Sequence, residues 1–333
     1  MRSLAASSTH SVIRTCIICG VDDAEDMFTF TRDFLVNIRD HNPVTLTDKG
    51  WTDDVTSTIV KCRKCSSIYI RDLHVSSEEY WEKRNKDSES AESLEARRNR
   101  IASKETFRQY ADLDAQNWTV RNVIQLSAEG KNRDIKFLDY GAGGAETSNM
   151  ARGCGVHHVV AYDPHYAENI QEIHNKTNFP GILSIRDEEQ LAELGPFDAV
   201  VFQSAIEHVT NPLGELKTIF SLMAPGGYFY VNNPVMDLNK ELGQLKAAKK
   251  IVKKDRISYY HPDHLNYLTA RQFEDLLKSV GFKVTARTHY PPVLLSKKTL
   301  RKFVFRQLKV AIRTTQNLLG LPYDRQYFIV QKP

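Results

Sequence analysis

The sequence Phe137-Leu138-Asp139-Tyr140-Gly141-Ala142-Gly143-Gly144 decides the fold, because an apolar run leads directly into a Gly-x-Gly turn. The next apolar run begins at Val159 and ends at Asp163. A strand, a glycine turn and a helix let the backbone approach a ligand closely, and an acid about 20 residues later can bind the hydroxyls of a ribose. The stretch therefore predicts an α/β domain with a nucleoside-cofactor site.

Position 146 separates two classes of nucleoside cofactor. Dinucleotide-binding proteins carry a third glycine three residues after the Gly-x-Gly pair, and this chain has Glu146 there. A carboxylate would repel a pyrophosphate, whereas it tolerates a cofactor that carries sulfonium and ammonium cations. Asp139, just before the turn, is placed to meet such an ammonium group. The residues favour a cationic cofactor without phosphate.

The downstream sequence alternates between strands and helices. Phe197 to Gln203 is an almost uninterrupted apolar run, as expected of a strand covered on both faces. Leu222 to Val231 contains a helix end, a Pro-Gly-Gly turn and a fifth strand. The other segments are a third strand in Gly181 to Asp187, the motif Ser204 to Val209 with Asn211-Pro212, a loop in His261 to Thr269, a helix through Leu277 and a last strand in Gln326 to Gln331.

Together these segments resemble the class I S-adenosylmethionine-dependent methyltransferases, over residues 105–333. The resemblance implies an α/β, Rossmann-like, doubly wound sheet of seven strands in a domain at residues 111–333. It also implies the residues that bind S-adenosyl-L-methionine. We expect Asp139, Gly141, Ala142 and Gly143 around the methionine part, Asp163 at the ribose, Asp187 near the adenine amine and Gln203 under the sulfonium.

Four of the five cysteines form two Cys-x-x-Cys pairs, Cys16 with Cys19 and Cys62 with Cys65. Four thiolates complete the tetrahedral coordination of a structural Zn2+ and leave no position for water. The pattern predicts a small zinc-ribbon-like module at residues 1–75, with a redox-active pair as the alternative. The long spacer predicts an inserted loop between Asp33 and Thr56. Such cysteine usage suits a reducing cytoplasm.

A zinc module, a charged helical connector at residues 76–110 and a methyltransferase fold resemble bacterial methyltransferases of sugars and glycans. The resemblance implies O-methylation of a sugar, nucleotide-sugar or glycan precursor in polysaccharide biosynthesis. A small-molecule O- or N-methyltransferase of natural-product biosynthesis is one alternative, and a non-catalytic binding protein with the same fold is another. No run of 18 apolar residues is present, so the sequence predicts no membrane span.

Histidines are the candidate bases for methyl transfer to a hydroxyl, because the acceptor must lose a proton as the new bond forms. His208 follows the fourth strand, at the edge of the sheet where ligands collect, and imidazole has a pKa near neutrality. Its alternative is a structural role beside the cofactor pocket. His261 and His264 are rival candidates in a loop expected to cover the acceptor. Tyr267 is expected either to line the same cleft or to pack.

Charge is distributed unevenly along the chain. Residues 240–333 contain 20 Lys and Arg against 6 Asp and Glu, although the net charge of the whole chain is only +4. The excess falls in two basic insertions on the acceptor side, at residues 240–270 and 293–322. They could bind the phosphates of an anionic acceptor, contact an anionic membrane surface peripherally, or form a lid. Nucleic acid is disfavoured, because no basic strand with interleaved aromatic residues is present.

Overall fold

The computed structural model describes residues 12–37, 46–47, 52–73, 115–131, 134–166, 168–177, 180–233, 264–288 and 326–333. In the N-terminal part of these ranges the elements are β1 (Val12–Ile13), β2 (Ala24–Thr31), α1 (Arg32–Asn37), β3 (Thr56–Cys62), β4 (Ile68–Ile70) and β5 (Asp72–Leu73). The remaining elements are α2 (Ala115–Ala128), β6 (Lys136–Tyr140), α3 (Glu146–Gly153), β7 (His158–Tyr162), α4 (Ile170–Thr177), β8 (Ile182–Ile185), α5 (Glu188–Leu194), β9 (Phe197–Phe202), α6 (Pro212–Leu222), β10 (Met223–Asn233), β11 (Asn266–Tyr267), α7 (Ala270–Val280), β12 (Lys283–Thr288) and β13 (Gln326–Gln331).

The main sheet has seven strands in the order β12-β13-β10-β9-β6-β7-β8. The five strands from β10 to β8 are parallel to their neighbours, whereas β13 lies antiparallel between β10 and β12. All six residues of β9 are buried, in agreement with its apolar sequence. This order confirms the Rossmann-like, doubly wound methyltransferase sheet.

Hydrophobic cores fill both faces of the main sheet. Leu138 and Val200 belong to one core, with apolar residues of α6 and α7, and Phe137 and Ala199 belong to the other, with residues of α2. Because successive residues of a strand point to opposite faces, adjacent residues of β6 and β9 serve different cores. The two cores fix the carboxyl ends of β6 and β9 next to each other.

A second, antiparallel sheet carries the N-terminal module, in the order β11-β4-β3-β2. Its edge strand β11 comes from a distant part of the chain, since Asn266 pairs with Tyr69 and Tyr267 with Ile68. Tyr267 is 4% exposed and packs in the core of this sheet, so it does not line a cleft. β11, which follows β10 in the sequence, therefore belongs to the sheet of the N-terminal module.

Several sequence predictions lie outside the described residues. They are the connector at residues 76–110, the candidate base His261, the basic insertion at 293–322 and residues 240–263 of the other basic insertion. Within the described ranges, none of the helices is long and apolar enough to cross a membrane.

Candidate active site

The glycine turn after β6 forms one wall of a cavity of about 320 Å3. Gly141 has a φ of 68°, and a side chain there would meet Phe202 at 3.2 Å and Ala205 at 3.4 Å. Only glycine fits this position without strain. The cavity is lined by residues of β6, of the turn, of the first turn of α3 and of the loop after β9, namely Asp139, Gly141, Ala142, Gly144, Glu146, Thr147 and Gln203.

Asp139 brings a buried carboxyl group to this cavity. Its Oδ2 accepts hydrogen bonds from the backbone N–H of Ser148 at 2.9 Å and from the Ser148 hydroxyl at 2.8 Å. Burial raises the pKa of Asp139 to about 7, against the opposing effect of these two hydrogen bonds. No described residue donates a hydrogen bond to the other carboxyl oxygen of Asp139, Oδ1, so this atom is available to a cationic ligand.

Asp163, at the end of β7, organises the turn itself. Its Oδ2 accepts the backbone N–H of Gly143 at 3.1 Å, and its Oδ1 accepts that of His165 at 3.0 Å. Burial raises the pKa of this carboxyl group as well. The acidic residue and the glycine turn are therefore in direct contact, and the contact of Asp163 with a ribose stays a prediction.

Asp187 is used by the local backbone. It is the N-cap of α5, and its Oδ1 accepts the backbone N–H of Gln190 at 2.7 Å. The side chain is exposed and is not among the residues that line the cavity. Its contact with an adenine amine stays a prediction.

Gln203 begins the loop that follows β9 and faces the same cavity. Its Oε1 atom is buried and accepts no hydrogen bond from the described part of the chain. A buried acceptor without a donor is costly, so a ligand that donates a hydrogen bond fits here. The next residue, Ser204, has a φ of 51°, and Asn232 of β10 accepts its backbone N–H.

The loop after β9 and the residue that begins the segment leading to β11 together form a cluster of titratable groups. Ligand atoms of Glu207, His208 and His264 lie within 4.8 Å of one another. The rings of His208 and His264 pack edge to face with centroids 4.9 Å apart, and Glu207 is only 3% exposed. One carboxylate and two imidazoles can share a proton, and the same donor set is chemically suited to a divalent transition metal. The structure thus brings together His208 and one of its two predicted rivals.

Backbone contacts hold these two histidine segments together. The N–H of Leu265 donates to the carbonyl of Glu207 at 2.7 Å. The side-chain amide of Asn266 donates to the carbonyls of Ile206 at 3.1 Å and Val209 at 2.8 Å. Asn266 is 2% exposed, so this clamp is shielded from water.

The four predicted cysteine ligands also converge. All four sulfur atoms lie within 4.8 Å of one another, with Cys16 and Cys65 separated by 3.4 Å and Cys19 and Cys62 by 3.6 Å. Tetrahedral Zn–S bonds of about 2.3 Å place the sulfur atoms about 3.8 Å apart, so this arrangement fits zinc.

The backbone of the two cysteine pairs is similar. Gly20 and Ser66, which follow the pairs, have φ angles of 68° and 60°, and each donates to the carbonyl of the first cysteine of its pair. Ser66 thus adopts the conformation for which glycine is usual. Burial raises the pKa of Cys16, but hydrogen bonds from the Cys19 backbone and the Ser67 hydroxyl outweigh it and lower that pKa to about 7.

Two features of this site escape prediction from the sequence. Thr147 lines the cavity although no motif singles it out. Arg14 and Asn266 bond to the loops around His208 and His264, and both are separated from His208 by many residues of chain.

A parallel sheet with a glycine turn, an acidic residue on the next strand and a polar cavity at its carboxyl edge defines a Rossmann-like nucleoside-cofactor fold. Residues 105–287 match the family described as methyltransferase domain, which is more than half of the chain. The chain belongs to this methyltransferase-domain family.

Similar proteins carry related names. The chain is 37% identical over 125 residues to a ubiquinone biosynthesis O-methyltransferase of Caulobacter sp. (strain K31), covering 34% of this chain and 45% of that protein. It is 31% identical over 162 residues to the protein of the same name from Parvibaculum lavamentivorans, covering 46% and 61%. The chain thus spans about half the length of these curated relatives.

A solved structure is also similar, that of an S-adenosylmethionine-dependent methyltransferase from Mesorhizobium loti, with a TM-score of 0.43, 15% identity and coverage of 66% of this chain and 99% of that one.

Proposed function

We propose that this methyltransferase transfers the methyl group to a hydroxyl oxygen of a small molecule. The observation that carries the proposal is the cluster that Glu207 and His208, in the loop that begins at the cavity residue Gln203, form with His264. The names of the relatives support O-methylation and do not match a sugar or glycan acceptor. The sugar acceptor stays a prediction.

The cavity residues fit S-adenosyl-L-methionine. Two carboxyl groups, of Asp139 and Glu146, line it and suit cations, and the buried Oε1 of Gln203 needs a donor. Asp163 would bind the ribose hydroxyls while it holds the glycine turn. The cofactor supplies a methyl group on a sulfonium, which a nearby oxygen can attack in line.

His208 is the proposed general base. A hydroxyl oxygen is a poor nucleophile until its proton is removed, and a positioned imidazole contributes about 100- to 10,000-fold to such a step. Glu207, held at 3% exposure beside the rings, would stabilise the imidazolium that forms. A phenolic hydroxyl, with a pKa of about 10, is within the reach of imidazole. We therefore expect phenols and catechols to be better acceptors than sugars.

The test is an acceptor screen with the purified full chain. Phenols, catechols and nucleotide-sugars are incubated with S-adenosyl-L-methionine, and S-adenosylhomocysteine and the methylated product are measured by mass spectrometry. With an accepted substrate, His208→Ala should lower kcat about 100-fold or more and leave the affinity for S-adenosylhomocysteine within twofold. A rate within threefold of the unaltered chain would reject His208 as the base. Methylation of nitrogen or carbon alone would reject O-methylation.

A further inference from the structure

Arg14 is a buried arginine at the start of the N-terminal module, two residues before Cys16. It is 9% exposed and its guanidinium lies 5.5 Å from the centre of the Tyr69 ring. Its Nε donates to the carbonyl of Ile70 at 2.7 Å. These contacts anchor the side chain on β4, in the same small core that contains Cys16 and Cys62.

The other end of the guanidinium reaches the candidate active site. Nη1 donates to the carbonyl of Thr210 at 3.0 Å and to Oδ1 of Asn266 at 3.0 Å, and Nη2 donates to the carbonyl of Leu265. Thr210 lies two residues after His208, and Leu265 directly follows His264. A planar fork of donors in a fixed geometry therefore joins the two segments that carry the clustered histidines.

The charge of Arg14 has no carboxylate partner among the described residues. Its hydrogen-bond acceptors are three backbone carbonyls and one amide oxygen. Four thiolates around one Zn2+ would carry a net charge of about −2, which favours a guanidinium two residues away. Metal in the cysteine site would thus stabilise the positive charge of Arg14, whose guanidinium donates hydrogen bonds to the two histidine segments.

We propose that Arg14 is a positioning residue of the methyl-transfer site, anchored by the four-cysteine module and holding the segments of His208 and His264 in their working arrangement. This role rests on the proposed function of the histidine cluster. Through Arg14, the four-cysteine module would influence the reaction although none of its described residues lines the cofactor cavity.

The first experiment compares Arg14→Gln and Arg14→Lys with the unaltered chain by nitrogen-15 NMR of the histidine rings. His208→Gln and His264→Gln identify the two ring signals. We expect Arg14→Gln to move the signals or titration midpoints of both rings, Arg14→Lys to move them less, and the dissociation constant of S-adenosylhomocysteine to stay within twofold. Arg71→Gln is the matched control, because Arg71 lies in the same module but its side chain binds Asp26 and Asp72 instead. Unchanged ring signals in Arg14→Gln would overturn the proposal.

A second experiment decides the matter if Arg14→Gln does not fold. Zinc is removed from the unaltered chain by a chelator and then restored, while the two ring signals are followed. We expect both ring signals to shift when zinc is removed and to return when zinc is added. Ring signals that stay unchanged when zinc is removed would overturn the proposal. Neither measurement needs an acceptor, so failure of the acceptor screen and failure of this coupling are distinguishable. With an acceptor in hand, Arg14→Gln should lower kcat at least tenfold without changing KM for the cofactor.

Discussion

Asp139 is a buried carboxyl group that lines the cofactor cavity, and its titration should control cofactor binding. Its pKa is raised to about 7 by burial, so it is largely protonated below that pH. An ammonium group of the cofactor would favour the carboxylate and lower this pKa in the complex. Binding then releases a proton below pH 7, and the dissociation constant of S-adenosylhomocysteine should rise by up to tenfold per pH unit as the pH falls from 7 to 5.5.

Calorimetric titration across this range measures the effect. Asp139→Asn should bind more weakly at pH 7.5 and should lose most of the pH dependence. Asp163 adds a dependence of the same sign, since burial also raises its pKa. An affinity that is flat with pH in the unaltered chain would show that Asp139 does not meet a cation.

Gly141 can be tested against a second glycine of similar conformation. Gly141→Ala combines a left-handed backbone, which costs about 1–2 kcal/mol, with contacts at 3.2 Å to Phe202 and 3.4 Å to Ala205. Gly130 has a φ of 71° and open space around it, so Gly130→Ala carries only the backbone cost. In urea denaturation we expect Gly141→Ala to lose more stability than Gly130→Ala and to weaken S-adenosylhomocysteine binding. If both variants lose the same stability and bind S-adenosylhomocysteine equally well, Phe202 and Ala205 give way to the added methyl group at no cost.

At this scale the sequence predicted the glycine turn and Asp163 because both belong to one continuous stretch of chain. The pairing of His208 with His264 could not be predicted, since 55 residues separate them and their contact depends on where β11 pairs. Asp187 shows the opposite case. An acid after a strand is equally suited to a ligand and to the cap of the next helix, and here it caps α5.

Among the elements, α7 links the main sheet to the cysteine module. Thr269 and Gln272 form a capping box at its start, and the side chain of Gln272 also donates to the carbonyl of Cys65 at 3.3 Å. Thr269→Ala should therefore destabilise the protein by about 1 kcal/mol, as measured by urea denaturation. Thr269→Ser keeps the hydroxyl acceptor and should lose less than half of that amount. If the two variants are equally unstable, the cap does not contribute.

Strands and helices of the main sheet could be predicted because their patterns are local. The run Phe197 to Phe202 is apolar throughout, and Gly281 ends α7 in a left-handed conformation. β11 has only two residues and no period of its own, so its sequence predicts nothing. Its pairing with β4 is accompanied by hydrogen bonds from Arg14 to Thr210 and Asn266, which lie 196 and 252 residues further along the chain.

On the scale of the whole molecule, several contacts among the described residues join the cysteine module to the methyltransferase fold. They include the β4–β11 pairing, the hydrogen bonds of Arg14 and the bond from Gln272 to Cys65. The sequence predicts the two parts as consecutive units, because the spacing of motifs does not show which parts of the chain are in contact. The observed contacts predict that a mutation or loss of metal in one part alters the stability of the other.

Metal removal tests this coupling. We expect one zinc per chain by elemental analysis, retained in Cys154→Ser and lost in Cys62→Ser, because Cys154 packs beside a different core. Binding of an ion to the folded state alone stabilises it, so Cys62→Ser should unfold at a lower temperature than Cys154→Ser. The decrease should appear in the transition of the cofactor-binding fold, followed by S-adenosylhomocysteine binding during heating. Zinc retained in Cys62→Ser would contradict the four-cysteine site, whereas zinc lost without any change in that transition would show that these contacts do not couple the module to the sheet.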